Sequence, residues 1–378
     1  MNKIPPVDLT RQYKLIREEA DLAVLEILNS GRYIGGEAVA TFERKLAEYT
    51  GVNECVSCNS GTDALYLALR AMDIGSGDEV ITTPFTFFAT AEVITRVGAK
   101  PIFVDIDLNT YNFNLTQVER AITPKTKAII PVHLFGQPVD MTGLMAIAQA
   151  HNLFVIEDCA QATGAEWDER KVGGIGDVGC FSFFPTKNLG ACGDGGAVTT
   201  NNSAIAKKMR ILKEHGSPQR YRHDSIGINS RIDAVQAVIL TIKLRYLDFW
   251  NEQRQRAARY YQELLNPVTS LKLPQAIKGG SSVWNQYTVC VTSNSQEKHS
   301  RRNAVKEYLQ QQGIISMIYY PIPLQLQPVY QNLGYQKGQL PIVEQAAREV
   351  LSLPMFPGIS EAEQERVAYA LKDALTET

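Results

Sequence analysis

Short apolar runs alternate with helix-like segments over roughly the first half of the chain. The apolar runs, rich in Val, Ile and Thr, occupy residues 77–84, 99–107, 127–136 and 153–162. The segments between them, such as residues 87–98 and 140–152, have the spacing of helices. Continuous apolar strands separated by helices predict an α/β fold with a mostly parallel central sheet covered on both faces.

The pattern changes after residue 231. Residues 232–265 predict one long helix, and a strand–helix–strand pattern punctuated by Pro and Gly follows. We therefore expect a large domain over residues 1–250, which includes the N-terminal segment, and a smaller α+β domain over residues 251–378.

Composition and charge limit the possible functions. The chain has 378 residues and a formal net charge of −2, so its charge gives no reason to expect nucleic acid or an anionic membrane as a partner. It lacks both an apolar run of about 20 residues and the apolar core of a signal peptide. We expect a cytoplasmic location, with the six cysteines reduced. Cys55 and Cys58 form a C-x-x-C without a second ligand pair at suitable spacing, so we predict no metal site.

Polar and aromatic residues gather where the predicted strands end. Ligands of open α/β sheets bind at the carboxyl ends of the strands. Those ends carry residues 83–88, Asp105 with Asp107, His133, residues 157–161 and residues 182–187. The sequence therefore predicts a binding site along this edge.

Lys187 lies between the aromatic run FSFF and a stretch with glycines at positions 190, 193, 195 and 196. An unperturbed lysine, with a pKa of about 10.4, is a poor nucleophile at neutral pH. Imine formation with a carbonyl substrate or with pyridoxal phosphate (PLP) needs a neutral amine and room for a ring, which the glycines would leave. The alternative is an exposed lysine in a glycine turn.

Asp158 ends the apolar strand FVIED. PLP enzymes pair an acidic group with the pyridine nitrogen, and only one of Glu157 and Asp158 can face the ring because strand residues alternate in direction. Gln161 could bind the ring hydroxyl. The alternatives are a helix N-cap for Asp158 and a turn cap for Gln161.

The stretch NSGTDALYLALRAM, residues 59–72, predicts a helix whose first turn offers backbone N–H groups to a phosphate. The alternative is an ordinary N-cap. The chain lacks both G-x-x-x-x-G-K and a G-x-G-x-x-G after an early strand, which argues against a P-loop enzyme and a dinucleotide-binding oxidoreductase.

Together these motifs resemble those of the DegT/StrS family of PLP-dependent nucleotide-sugar aminotransferases, which have the type I fold of aspartate aminotransferase. The resemblance extends from SGRYIGGEAVATFE at residues 30–43 to YYPIPLQLQPVY at residues 319–330. It implies PLP as cofactor and a homodimer with shared active sites. The residues that it implies for the cofactor are Gly61, Thr62 and Ser182 at the phosphate, Phe87 stacked on the ring, Asp158 at the ring nitrogen, Gln161 near the ring hydroxyl, Lys187 as Schiff-base lysine and Asn229 at the phosphate of the neighbouring subunit.

The implied reaction moves an amino group from L-glutamate to a keto group of a UDP- or dTDP-linked sugar, giving an amino sugar for glycan or natural-product biosynthesis. Residues 214–233 resemble the 3-keto members more than the 4-keto ones. Substrate candidates are His223, Arg231, Tyr320 and Gln325. Gln325 stands where relatives often have histidine, whereas Lys187 is retained where the dehydratase branch has histidine. The rival functions are a cyclitol aminotransferase or another PLP enzyme on this scaffold, and a non-catalytic regulator.

Overall fold

The computed structural model describes residues 3–292 and 301–377. Its strands are β1 (Glu54–Cys58), β2 (Glu79–Thr82), β3 (Lys100–Phe103), β4 (Thr126–Ile130), β5 (Phe154–Asp158), β6 (Glu166–Trp167), β7 (Arg170–Lys171), β8 (Val178–Ser182), β9 (Gly196–Thr200), β10 (Leu271–Lys272), β11 (Gly280–Ser281), β12 (Tyr287–Val291) and β13 (Val350–Leu353). Its helices are α1 (Leu9–Ser30), α2 (Gly36–Thr50), α3 (Gly61–Ala71), α4 (Ala89–Arg96), α5 (Leu115–Arg120), α6 (Met141–His151), α7 (Ser203–Leu212), α8 (Ala234–Leu265), α9 (Arg301–Gln311), α10 (Pro341–Glu349) and α11 (Glu361–Glu377).

The central sheet has seven strands in the order β1-β9-β8-β5-β4-β2-β3. Strands β8, β5, β4, β2 and β3 run parallel, and β9 is antiparallel to both of its neighbours. The predicted α/β fold with a mostly parallel central sheet is therefore confirmed.

Successive strand residues are buried on opposite faces of this sheet. In β4, Ala128 and Ile130 pack beneath α3 and α7, whereas Ile129 packs against α5 and α6. Residues Ile156 and Val155 of β5 divide in the same way. Both faces are covered, which explains why these strands are apolar without alternation.

A second core lies in the C-terminal part of the chain, around the small antiparallel sheet β10-β12-β13. It includes the end of α8 with Tyr261 and Leu265, and also Ile4 from the N-terminal segment. Helix α8 continues without a break through residues 250 and 251, where the domain boundary was predicted. The division into two domains stays a prediction, and α8 joins the two regions as one continuous helix. Within the described part of the chain, every helix is too short or too polar to cross a membrane.

Candidate active site

The carboxyl ends of the parallel strands bring the predicted polar residues to one edge of the sheet. Asp158 ends β5 and Ser182 ends its parallel neighbour β8. Residues 83–88 follow β2 on the same edge. The structure confirms the expectation from the sequence that these residues lie along one edge of the sheet.

Asp158 is a buried carboxylate with few donors. One oxygen accepts a hydrogen bond from Thr90 Oγ1 at 2.9 Å, and the other accepts from the backbone N–H of Ala160 at 3.1 Å. A turn rather than a helix follows β5, so the N-cap alternative is wrong. Burial raises the pKa of Asp158, and the two hydrogen bonds and the charge of Lys187 oppose that rise.

Glu157 points to the other face of β5, as predicted. Its carboxylate accepts hydrogen bonds from His133 Nε2 and from the backbone N–H groups of Gly173, Ile175 and Gly176. Burial would raise the pKa of Glu157, but the hydrogen bonds from His133 and from the backbone outweigh it, so the pKa is lowered.

Ligand atoms of His133, Glu157 and Cys159 lie within 4.8 Å of one another, a spacing that a metal ion could bridge. However, His133 Nδ1 accepts from the N–H of Val139 at 3.0 Å, so Nε2 carries the hydrogen and donates it to Glu157. Burial also holds the pKa of the Cys159 thiol well above its usual range. His133 and Glu157 therefore form a hydrogen-bonded structural pair, with the Cys159 thiol beside them.

Lys187 lies in a turn after β8, where its backbone N–H donates to Phe184 O at 2.9 Å. Burial lowers the pKa of Lys187 to about 8, and the nearby charge of Asp158 opposes that shift. The Lys187 side chain is half-buried rather than exposed, so the alternative of an exposed lysine in a glycine turn is wrong. The charge of Asp158 is close enough to influence the pKa of Lys187.

The expectation that the glycines after Lys187 leave room for a ring is wrong for two of them. A Cβ on Gly190 would lie 2.3 Å from Pro185 O, and one on Gly196 would lie 2.2 Å from Ser60 O. These glycines instead let the backbone fold tightly on itself and bring β9 against the start of α3.

The first turn of α3 meets the end of β8. A Cβ on Gly61 would lie 2.6 Å from Ser182 Cβ, so only glycine allows this approach. Ser60 Oγ accepts from the N–H of Asp63, and Ser60 O accepts from the N–H of Ala64. The remaining N–H groups of the turn, on Gly61 and Thr62, are the ones that a helix start leaves free for an anion.

Another part of this edge is formed by Gln161, Tyr320 and Phe87. Gln161 Oε1 accepts from the N–H of Phe135 at 2.7 Å, and its Nε2 donates to the Tyr320 hydroxyl at 3.1 Å. The ring of Phe87 is 59% exposed and its centroid lies 6.5 Å from that of Tyr320. A large apolar ring left open beside Tyr320 offers a flat surface to a ligand.

The loop before α8 carries the other predicted residues. Exposed His223 bonds His215 O through Nδ1, and Arg231 donates to Glu214 at 2.9 Å. Among the bonds that the structure describes, neither side chain reaches Lys187 in the same chain. Asn229 is exposed.

The residue after Asn229 is tied to the phosphate turn predicted from the sequence. Ser230 Oγ donates to Asn59 Oδ1 at 2.9 Å and accepts from the Asn59 N–H at 3.2 Å. Asn59 immediately precedes Ser60, the N-cap of α3. Asn229 is therefore held next to the α3 start of its own chain.

Gln325 is 2% exposed, yet neither polar atom of its amide has a partner among the described residues. The neighbouring N–H of Leu324 donates to Pro84 O at 2.9 Å, which places Gln325 beside the segment that follows β2. An unpaired buried amide is costly, so this side chain is a candidate ligand contact.

Sequence reasoning missed two sets of buried polar residues. Thr90 links Asp158 to Thr86, whose hydroxyl lies 3.0 Å from that of Thr90. The available signal was the spacing of four residues, with Thr86 before α4 and Thr90 in its first turn. Asn188 contacts Asn251 and Asn285, and no local pattern indicates that such distant residues meet.

The fold and the site together define the class. A mostly parallel α/β sheet with a lysine and an aspartate coupled at its carboxyl edge, next to a helix start that offers free N–H groups, fits a PLP-dependent enzyme.

The chain belongs to the DegT/DnrJ/EryC1/StrS aminotransferase family, which it matches over residues 14–372. It is 47% identical over 372 residues to the UDP-N-acetyl-3-dehydro-alpha-D-glucosamine 3-aminotransferase of Acidithiobacillus ferrooxidans, covering 98% of both chains. It is also 47% identical over 366 residues to the pleiotropic regulatory protein of Geobacillus stearothermophilus, covering 96% of both. The structure of S. venezuelae DesV in complex with a ketimine intermediate superimposes with a TM-score of 0.95, at 39% identity and with 99% of both chains covered. The protein is thus a PLP-dependent aminotransferase, and the predicted family, fold, cofactor and enzyme class are confirmed.

Proposed function

We propose that the protein transfers the amino group of L-glutamate to the C3 keto carbon of a UDP- or dTDP-linked sugar. The observation that carries the chemistry is the placement of half-buried Lys187 and buried Asp158 after two neighbouring parallel strands, with the start of α3 packed against Ser182 at the same edge. The named activity of the Acidithiobacillus ferrooxidans relative supports the 3-keto sugar nucleotide. Wild-type protein should therefore aminate such sugars at C3.

The donor set of the site suits each part of PLP. Gly61, Thr62 and Ser182 would hold the phosphate through N–H and hydroxyl groups. Asp158 would hold the protonated ring nitrogen, and Phe87 would stack on the ring. Bound PLP supplies an electron-withdrawing ring that eases removal of the proton from the amino-acid α-carbon.

Lys187 would carry that proton. Its pKa of about 8 leaves about a tenth of the amine neutral at pH 7, far more than an ordinary lysine offers. Burial thus makes the amine a usable base, while the charge of Asp158 keeps its ammonium form accessible as the acid for the return step.

Absorption spectroscopy of the purified protein tests this assignment. The wild type should show the visible absorption of PLP bound to Lys187 and lose it when L-glutamate is added. Adding a 3-keto UDP-sugar should then restore the band and yield the 3-amino sugar. Lys187→Ala should lose the response entirely. Lys171→Ala removes another half-buried lysine, paired with Glu166, and should behave like the wild type. Turnover by Lys187→Ala would overturn the proposal.

We propose that the active sites are shared between two copies of the chain. Support comes from the exposure of Asn229 and of large apolar side chains such as Tyr221 and Ile226 on the same loop. Mixing Lys187→Ala with Asn229→Ala chains tests it, because a mixed dimer with shared sites has one intact site. Recovery of about a quarter of the activity is expected after full exchange, whereas no recovery would exclude sharing.

The name of the Geobacillus stearothermophilus relative makes regulation the second candidate function. The presence of half-buried Lys187 after β8, next to the strand that ends in buried Asp158, favours catalysis, because a regulator has no need of an amine with a lowered pKa at this edge. A protein that binds PLP but never loses its visible band with any amino acid would favour regulation. A cyclitol keto acceptor that outcompetes keto sugars would favour the other rival.

The cytoplasm is the proposed location. All six cysteines are free thiols, and five of them are buried, which suits a reducing compartment.

A further inference from the structure

The Lys187 loop, residues 184–190, is fastened by side chains that come from distant parts of the chain. Buried Lys243 of α8 donates to Gly190 O at 2.6 Å. Asn188, next to Lys187, is 3% exposed and turns its amide into the protein. The position of the loop therefore depends on tertiary contacts.

Asn188 is the centre of a chain of three buried amides. Asn285 Nδ2 donates to Asn188 Oδ1 at 2.7 Å. Asn188 Nδ2 donates to Asn251 Oδ1 at 2.7 Å and to Val283 O at 3.0 Å. Asn251 Nδ2 continues the chain by donating to Thr163 O at 3.1 Å. The amide donors of Asn285, Asn188 and Asn251 all point in the same direction along this series of hydrogen bonds.

Few other side chains could replace Asn188 in this series of three amides. Asn188 uses two donors and one acceptor at the same time, and an aspartate would oppose its carboxylate to Asn251 Oδ1 and Val283 O. In a buried setting, removing one partner leaves the other unpaired. Loss of any one of the three amides therefore leaves a neighbouring amide without its hydrogen-bond partner.

The series of three amides also connects separate regions of the fold. Asn251 belongs to α8, and Asn285 lies two residues before β12 of the C-terminal sheet, 97 positions from Asn188. Beside it, fully buried Arg254 donates to Asn285 O and Met355 O. The Lys187 loop is thus tied to the C-terminal core.

We infer that Asn188 is a positioning residue for Lys187, and that Asn285 makes this positioning depend on the C-terminal region. The inference rests on the role proposed above for Lys187. Asn188 and Asn285 act through the loop, since their amides bond to each other and to Asn251 rather than to the reacting groups. Loss of either end of the amide chain frees the loop and lets Lys187 leave its half-buried position.

Asn285→Ala in the full-length, PLP-loaded protein is the test. Two measurements are made: hydrogen exchange of residues 184–190 by mass spectrometry, and the pH midpoint of the visible absorption of PLP at Lys187. We expect exchange at least about tenfold faster, because the loop loses its anchor, and a shifted midpoint, because the surroundings of the lysine nitrogen become wetter. Asn251→Ala cuts the chain at its other end and should give the same changes if Asn285→Ala does not fold.

Asn112→Ala is the matched control. Asn112 is also buried and donates to a backbone carbonyl, Pro138 O at 2.8 Å, and among the described hydrogen bonds it makes none to residues 184–190 or to the three amides. It should leave both the exchange of residues 184–190 and the midpoint unchanged. Wild-type values in Asn285→Ala, or equal changes in Asn112→Ala, would overturn the inference. A wild type that shows the visible band but no response to L-glutamate would instead count against the proposed function.

Discussion

The two faces of strand β5 hold neighbouring carboxylates in opposite electrostatic settings. Glu157 accepts from one imidazole and three backbone N–H groups, and its pKa is lowered despite complete burial. Asp158, one residue later, accepts from one hydroxyl and one N–H, and its pKa is raised. Burial is similar on both faces, so the number of donors decides the direction of the shift.

This difference separates a structural carboxylate from a functional one. Glu157 is saturated by donors of its own chain and fixes the turn at residues 173–176 against β5. Asp158 has unused acceptor capacity and lies near the charge of Lys187, so it is poised to gain stabilisation from a cationic ligand. The contrast yields predictions for four variants, given from the largest expected effect to the smallest.

Replacing Asp158 by Asn should reduce transamination by about 100-fold to 1000-fold, because a neutral amide lacks the negative charge that keeps the ring nitrogen protonated. Steady-state rates with L-glutamate and a keto sugar measure this.

The same variant should not lose stability at neutral pH when it is free of cofactor. Because the pKa of Asp158 is raised by folding, the folded wild type loses stability as pH rises from about 3.9 through the raised value. The amide of Asp158→Asn does not titrate, so urea unfolding of this variant should depend less on pH over that window. Loss of stability with intact activity would reverse the contrast between the faces.

Replacing Glu157 by Gln should lower the free energy of unfolding by about 3 kcal/mol, because the amide sets its own N–H groups against backbone donors. The lowered pKa of Glu157 means that the wild-type advantage is present above about pH 4.3 and fades as pH falls. Urea unfolding at several pH values measures it. The folded variant should keep activity within about tenfold of wild type, and an inactive but fully stable variant would contradict this.

Gln325 extends the contrast to an amide that is buried with neither polar atom paired among the described residues. Replacing it by Leu should leave stability unchanged or raised, because the unpaired amide is removed. The value of kcat/KM for the keto sugar should fall about tenfold. A drop in stability without any change in kcat/KM would assign Gln325 to the core instead.

Glu363 is less buried than the carboxylates of Glu157 and Asp158. It forms a two-point pair with Arg11 of α1 at 2.6 and 2.9 Å, and its hydrogen bonds with Arg11 lower its pKa to about 2. Because the pair is partly exposed, Glu363→Gln should cost only about 0.5–1 kcal/mol. This cost is present above about pH 4.3 and disappears as pH falls toward 2. Thermal unfolding measures it, and a loss independent of pH would point to packing rather than charge.

Sequence patterns predicted the helices and strands of this fold well where the buried positions follow a regular spacing along the element. Residues 232–265 were predicted as one helix and form α8 from residue 234, since its apolar positions repeat at helical spacing. The strand that ends in Asp158 was predicted for the same kind of reason: a buried strand must be apolar until it reaches the ligand edge.

The sequence was less informative about glycines and buried amides. The glycines at 190 and 196 were expected to make room for a ligand, whereas they make room for backbone. A close approach between segments far apart in the chain leaves no periodic signal, so neither these contacts nor the contact of Asn188 with Asn285 was predictable.

The sequence by itself determined the succession of strands and helices, the edge where the polar residues gather, and the family, because periodicity and motifs are local properties of the chain. Only the tertiary structure decided which carboxylate is saturated, how far burial lowers the pKa of Lys187, and which amides hold its loop. Those properties depend on desolvation and on donors contributed by distant segments, and they exist only once the chain has folded.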